Sequence, residues 1–245
     1  MRLDAIATAA RGQLVLFVAA TFAAIVSVVG VARANTDCTP NPDQPGMAMW
    51  LEIKKNCLDD PNPGAADCVT VDDHIVIARD SFKPSAFLVV ARDPVCGIET
   101  PSIREPGAPN YWLAGWTHRG LVGDDWTVGL AINSEHRRSQ NRLHIHLDRL
   151  CDSVAAALST PEPLDSFSLP LLNPYRALTI TIADLPHLNV FALVAAAEPS
   201  VPVADQSIAL VASKADPAAA IVLYGSDEQG SGHAEDLFVN GRHCP

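Results

Sequence analysis

Between Arg142 and Arg149 apolar and polar residues alternate without a break. Leu143, Ile145 and Leu147 fall on one side, and Arg142, His144, His146 and Asp148 on the other. Successive strand residues face opposite ways, so this pattern predicts a strand with an aliphatic back and a polar front, the floor of a cleft. Other strands are expected at 73–78 and 86–91, joined through Lys83-Pro84-Ser85, and at 126–133, 178–182, 207–212 and 219–224. Helices are expected at 48–57, 110–119 (with Pro109 at its start), 151–158 and 185–197. Strands in adjacent pairs, separated by helices at uneven intervals, indicate an α+β domain with an antiparallel sheet and flanking helices. The order helix, strand, strand recurs in the second half without the histidines, which admits a degenerate duplication beginning near residue 165.

The N-terminus reads differently. Arg2 and Arg11 precede a stretch free of charge from Gly12 to Ala32, and Ala32-Arg33-Ala34 follows as a small-x-small signature. An N-terminal hydrophobic helix over residues 1–34 is expected, and two readings stay open. The apolar run is near the length of a spanning helix, about 20 residues, yet it also fits a cleaved signal peptide. The first places the protein in the inner membrane with a single pass and the catalytic domain on the extracytoplasmic side. The second makes it secreted or periplasmic. Residues 35–47, rich in Pro, Asn and Asp, read as a linker, and 48–245 as the catalytic domain.

Composition narrows the function. Hydrophobic residues are 48% of the chain, enough for a packed core, and the formal net charge is −11. An acidic surface repels phosphate backbones, so nucleic acid is not an expected partner. Charge would not hold the chain on anionic lipid either, and membrane attachment is assigned to the N-terminal segment. The six cysteines suit disulfides in an oxidising compartment. Cys57 and Cys68 bracket a turn-rich loop. Cys244 lies in a tail that pairing with Cys151 would tie down. Cys38–Cys96 remains by elimination.

Candidate chemistry gathers just upstream of the two histidines. Asn133, Ser139, Gln140 and Asn141 are small polar residues able to offer donors to phosphate oxygens. Arg137, Arg138 and Arg142 add positive charge to an otherwise acidic chain. Two histidines at i and i+2 are unremarkable alone; beside this loop they suggest phosphate chemistry.

These stretches, Ala-Ile-Asn-Ser at 131–134, Arg-Ser-Gln at 138–140 and Leu-His-Ile-His at 143–146, resemble the CDP-diacylglycerol diphosphatases of the histidine-triad (HIT-like) superfamily. The likeness runs from about Met49 to the C-terminus and is densest over 130–151. The cysteines at 57, 68, 151 and 244 and the segment Asn110-Tyr111-Trp112-Leu113-Ala114 resemble that family too. The resemblance implies a HIT-like fold, His144 as nucleophile and His146 as a phosphate contact. It also implies phosphate-binding roles for Asn133, Ser139 and Gln140. Arg142 stands where the superfamily's H-x-H-x-H pattern has its first histidine, and is expected to meet phosphate or pair with Asp148.

The implied reaction is hydrolysis of CDP-diacylglycerol to CMP and phosphatidate through a nucleotidyl-histidine, with no cofactor and no metal. The alternatives are a nucleotidyltransferase or hydrolase acting on soluble nucleotide diphosphates, and a non-catalytic exported protein binding nucleotide or metal, the latter through His144 and His146 with His136 or His118. Trp112, Trp116 and Trp126 are expected either in the core or as an apolar wall for lipid or base.

Overall fold

A computed structural model describes residues 46–60, 67–123, 125–159, 175–241 and 244. The expected N-terminal helix, most of the linker and Cys38 lie outside the described residues. Among the described residues no helix is long and apolar enough to cross a membrane.

One antiparallel sheet of eight strands organises the chain: β1 (Cys68–Val71), β2 (Ile75–Arg79), β3 (Phe87–Ala91), β4 (Val128–Ile132), β5 (His144–Arg149), β6 (Arg176–Thr181), β7 (Gln206–Ala212) and β8 (Ala219–Ser226). Their order across the sheet is β1-β2-β3-β5-β4-β7-β8-β6. The helices are α1 (Ala48–Ile53), continued by a wider turn over Lys54–Leu58, α2 (Tyr111–Thr117), α3 (Asp152–Leu158) and α4 (Val190–Ala197). The α+β expectation therefore holds, and the strands fall close to the expected spans. β1 is an addition, since four residues with a single polar position carry little pattern. The last expected helix begins at Val190 because Ile182–Asp184 forms a separate 3-10 turn ahead of Pro186.

The strands β2, β3, β4, β7 and β8 read as nearly continuous apolar runs because the sheet is covered on both sides. On one side α2 and α4 pack over a core that includes Val89, Leu130, Leu143, Ile145, Leu147 and Val222. Gly115 of α2 is needed there, because a Cβ would stand 2.4 Å from Leu130 Cδ2. On the other side there are two separate patches. α1 covers β1–β3 through Met49, Trp50 and Ile53 against Val76, Leu88 and Val90. α3 and the C-terminal segment cover β4 and β6–β8 through Val154, Leu158, Leu237 and Phe238 against Ala131, Val211, Ile221 and Leu223.

Running order repeats about the junction of β4 and β7, where Leu130 faces Leu210. The sequence β3–α2–β4–β5 is followed by β6–α4–β7–β8. Asn110 and Asn189 occupy matching places: each caps its helix through Oδ1. Each also reaches across with its amide N–H, Asn110 to the carbonyl of Leu185 (2.8 Å) and Asn189 to that of Ile103 (2.8 Å). The two crossovers are thus stapled by reciprocal bonds that satisfy helix ends.

Candidate active site

β5 passes under the gap between the two covered patches. His146 pairs in register with Leu88 on one neighbour and Ala131 on the other, and Leu88 and Ala131 belong to different patches. Neither apolar patch therefore covers the front of β5 where His144 and His146 project, and the two buried rings sit at the bottom of the gap. A cavity of about 340 Å³ occupies the gap, lined by both histidines with Met49, Asp80, Phe82, Lys83, Leu88, Asn133, Ser139, Gln140, Glu235, Asn240 and Gly241. The imidazoles meet edge to face with centroids 5.0 Å apart.

Each ring has one nitrogen committed. His144 Nδ1 lies 2.7 Å from the carbonyl oxygen of Arg142, an acceptor only, so the proton belongs on Nδ1 and the lone pair on Nε2. Burial pushes this imidazole below its ordinary range, although the Arg142 carbonyl opposes the shift. Near neutral pH His144 thus keeps a free lone pair. His146 Nε2 lies 3.0 Å from Glu235 Oε2, and its Nδ1 is buried without a partner. Burial drives His146 down to about 3 despite the nearby carboxylate. Its contact with Glu235 is then a neutral N–H donating to a charged acceptor, not an ion pair between two full charges.

The charge in the cavity comes from Lys83 and Glu235. Lys83 Nζ stands 3.2 Å from the same Oε2. Burial alone would raise the Glu235 carboxyl, but the contact with His146 and the Lys83 ammonium hold it below the usual carboxylate range, so it is ionised. Asp80 also lines the cavity, and burial raises its pKa. A cation, an N–H donor and a carboxylate resting on both make this a site already arranged around a negative charge.

Of the residues expected at the site, Asn133, Ser139 and Gln140 line the cavity with the two histidines. Asn133 Oδ1 accepts from the Glu235 amide (3.1 Å), and Gln140 Oε1 from the Met49 amide (3.0 Å). With the oxygens used, each amide has its NH₂ group left to offer a ligand. Arg142 is placed otherwise. Its guanidinium stacks 3.9 Å over Trp50, donates to the carbonyl of Asp93, and burial lowers it to about 10. It does not line this cavity, and the expected Arg142–Asp148 pair is not formed. Asp148 Oδ2 instead accepts from Asn240, at 3.3 Å from the backbone N–H and 2.9 Å from Nδ2. Arg137 pairs with Asp227 and Arg138 with Glu99, and neither lines the cavity, although the nearby Arg138 charge adds to the lowering of His144. Trp112 and Trp116 are in the core beneath α2, on the opposite sheet face, and Trp126 packs beside α3, so none forms a wall here.

Lys83 and Glu235 escaped the sequence reading. Lys83 is the only lysine or arginine among the described lining residues, yet in sequence it is a turn residue. Glu235 follows His144 by a long interval and sits in a 3-10 turn, Ala234–Leu237, of a polar tail. His233, in the same segment, has Nδ1 3.8 Å from Glu235 Oε1. This C-terminal wall is fastened repeatedly. Leu150 bridges to Phe238, Cys151 N–H donates to the Leu237 carbonyl, and Val239 N–H donates to Arg149. The Cys151–Cys244 disulfide closes the same segment. Cys57–Cys68 is formed as expected. Cys96 is disulfide-bonded; the expected partner, Cys38, lies outside the described residues. Among those residues no group of three or more His, Cys, Asp or Glu is arranged to hold a metal ion.

A paired-imidazole strand under an anion-binding gap, on an antiparallel sheet, defines a candidate phosphate-handling site. A family model described as CDP-diacylglycerol pyrophosphatase matches residues 44–244. The CDP-diacylglycerol pyrophosphatase of Yersinia pestis is 33% identical over 125 residues, 46% of this chain and 48% of that protein. A probable CDP-diacylglycerol pyrophosphatase of Mycobacterium leprae is 30% identical over 150 residues, 55% and 56% of the two chains. That of Mycobacterium tuberculosis strain H37Ra is 30% identical over 152 residues, 58% and 56%. The matches thus span about half the length of these relatives. The chain belongs to the CDP-diacylglycerol pyrophosphatase family.

Proposed function

We propose that this chain hydrolyses CDP-diacylglycerol to CMP and phosphatidate through a nucleotide carried on His144, using a HIT-like scaffold. The observation that carries the reading is the His144 ring. It lines the cavity with Nδ1 bound to the Arg142 carbonyl, which leaves Nε2 as an unprotonated nucleophile. The same bond accounts for arginine in the place of the triad's first histidine. A backbone oxygen orients the nucleophile, and any side chain at 142 retains it.

His144 Nε2 attacks the phosphorus of the CMP half. An N–P bond forms, the P–O bond to the bridging oxygen breaks, and its electron pair leaves with phosphatidate. The ring then carries phosphorus on Nε2 and a proton on Nδ1, and the Arg142 carbonyl stabilises its positive charge. Water next attacks phosphorus, the N–P bond breaks, the lone pair returns to Nε2, and the water proton passes to solvent. Phosphoryl-type transfer depends on positioning and charge neutralisation. Lys83, the His146 Nε2–H, the Ser139 hydroxyl and the amides of Asn133 and Gln140 provide these once phosphate oxygens replace the Glu235 carboxylate.

One reactive centre per chain follows if the second half is a degenerate copy. The register about Leu130 and Leu210 places Ala219 and Ile221 where the first half has His144 and His146, and Ile221 is packed under the α3 patch. The disulfides support export to an oxidising compartment. On this reading the N-terminal segment anchors the domain at the extracytoplasmic face of the inner membrane.

The test is CMP release by purified protein carrying His144→Ala, with mass spectrometry of wild type quenched during turnover. Loss of release and a CMP adduct on His144 are expected. Wild-type turnover by the variant removes His144 from the nucleophile's role, and preference for soluble nucleotide diphosphates removes the lipid.

A further inference from the structure

We infer that Phe82 is a contact for the apolar tail of the substrate, where a glycerolipid leaves the cavity. The inference rests on the reading above, that the substrate is a nucleotide diphosphate bearing acyl chains. A cavity of about 340 Å³ is at the small end for ligand sites, roughly 300–1,000 Å³. It has no room for a nucleotide diphosphate together with two acyl chains. The tails must therefore pass out over the rim, and the rim residues decide what they meet.

Phe82 is at that rim. It lines the cavity, yet 72% of its surface is exposed, more than that of any other large hydrophobic residue described. A single exposed apolar side chain is ordinary on a protein surface. This one differs because it shares a cavity with the nucleophile and because its backbone is fixed. The Phe82 N–H donates to Asp80 Oδ1 (2.9 Å), Lys83 N–H to the Asp80 carbonyl (3.1 Å), and Ala86 N–H to the Lys83 carbonyl (2.8 Å). The aromatic ring is thus presented by a bonded turn and not by a slack loop. Lys83, next in sequence, points its ammonium at the anion position. One turn therefore offers a cation inward and an aromatic ring outward, which matches an ester whose phosphate and hydrocarbon ends are adjacent. Across the cavity, Asn240 Nδ2 donates to Ser85 Oγ at 2.9 Å and so ties the turn to the opposite wall.

The assay uses the full chain in mixed micelles with Phe82→Ser, comparing CDP-diacylglycerol with a water-soluble cytidine diphosphate ester. KM for the lipid is expected to rise roughly tenfold, the loss of most of one aromatic burial, while kcat/KM for the soluble ester is unchanged. Phe82→Leu is expected to recover most of the lipid KM. Equal effects on both substrates, or none on either, overturn the inference. A second measurement needs no turnover. In Phe82→Trp, CDP-diacylglycerol brominated in its acyl chains is expected to quench tryptophan fluorescence beyond its effect on wild type. Absence of added quenching overturns the tail contact. Quenching without hydrolysis instead retains it while the proposed reaction fails.

Discussion

Glu235→Gln isolates one charge at the centre of the cavity. The carboxylate rests on His146 Nε2 at 3.0 Å and on Lys83 Nζ at 3.2 Å, the two donors that a substrate phosphate is proposed to use. Two anions cannot share them, so a phosphate entering the site must displace the carboxylate or sit beside it. At a separation of about 5 Å and an effective dielectric of about 20, the repulsion between unit charges is about 3 kcal/mol. Water at the open mouth screens part of this, leaving about 1.5–3 kcal/mol, a ten- to hundred-fold factor in affinity. Glutamine keeps the shape and an acceptor for His146 but carries no charge. CMP titrated calorimetrically into Glu235→Gln at pH 7.5 is therefore expected to bind ten- to hundred-fold tighter than to wild type, with turnover limited by slower product release. Unchanged or weaker CMP binding would refute the idea that the carboxylate occupies the anion position. It would leave Glu235 a purely structural partner of His146.

Arg142→Met is expected to keep nucleotide release within about fivefold of wild type, because the His144 bond is to the backbone, while thermal unfolding shows a loss of about 1–3 kcal/mol from the Trp50 stack and the Asp93 bond. A thousandfold drop in kcat would return the guanidinium to the substrate. Cys244→Ser is expected to lower unfolding stability by about 2–4 kcal/mol, as for a native disulfide closing a long loop. Activity should fall before the fold is lost, read by comparing CMP release with circular dichroism along a reductant series. Acid should destabilise the protein. His146 falls from an ordinary 6.5 to about 3 on folding, so the unfolded chain binds more protons between those values, and the stability present above 6.5 is lost as pH falls toward 3. Glu235, lowered from 4.5 to about 2, adds to the loss between those values. In His146→Gln the slope of melting temperature against pH between 6.5 and 4.5 should flatten; an unchanged slope would place the titration elsewhere.

The sheet was legible where pattern and burial agree. β5 announced itself because its back enters one core through Leu143, Ile145 and Leu147 while its front carries histidines. β2, β3, β7 and β8 were legible as apolar runs, but those runs do not reveal which strands are neighbours, and the β4–β7 junction depends on long-range pairing. The site was legible only along its own strand and the adjoining loop. Ser139 and Gln140 lie within five residues of His144 and Asn133 within eleven, all in the loop that joins β4 to β5, so the family resemblance over this one stretch was enough to name them. Lys83 and Glu235 arrive from distant turns, and no periodicity marks a turn residue as facing a cavity. Arg142 is placed otherwise because the alternation runs two residues beyond the start of the strand. β5 begins at His144, and before it the chain bends, freeing the guanidinium to lie on Trp50.

The wall built from Glu235 and Asn240 ties reactivity to the order in which the polypeptide is made. A nascent chain that has emerged only as far as about residue 230 contains the residues of all eight strands, β5 with its two imidazoles among them. It still lacks the carboxylate that orients one of them, the asparagine gripping Asp148, and the thiol that Cys151 awaits. The wall is then complete only once Cys151 and Cys244 are joined, so a reduced chain is expected to hold its two imidazoles against a looser partner.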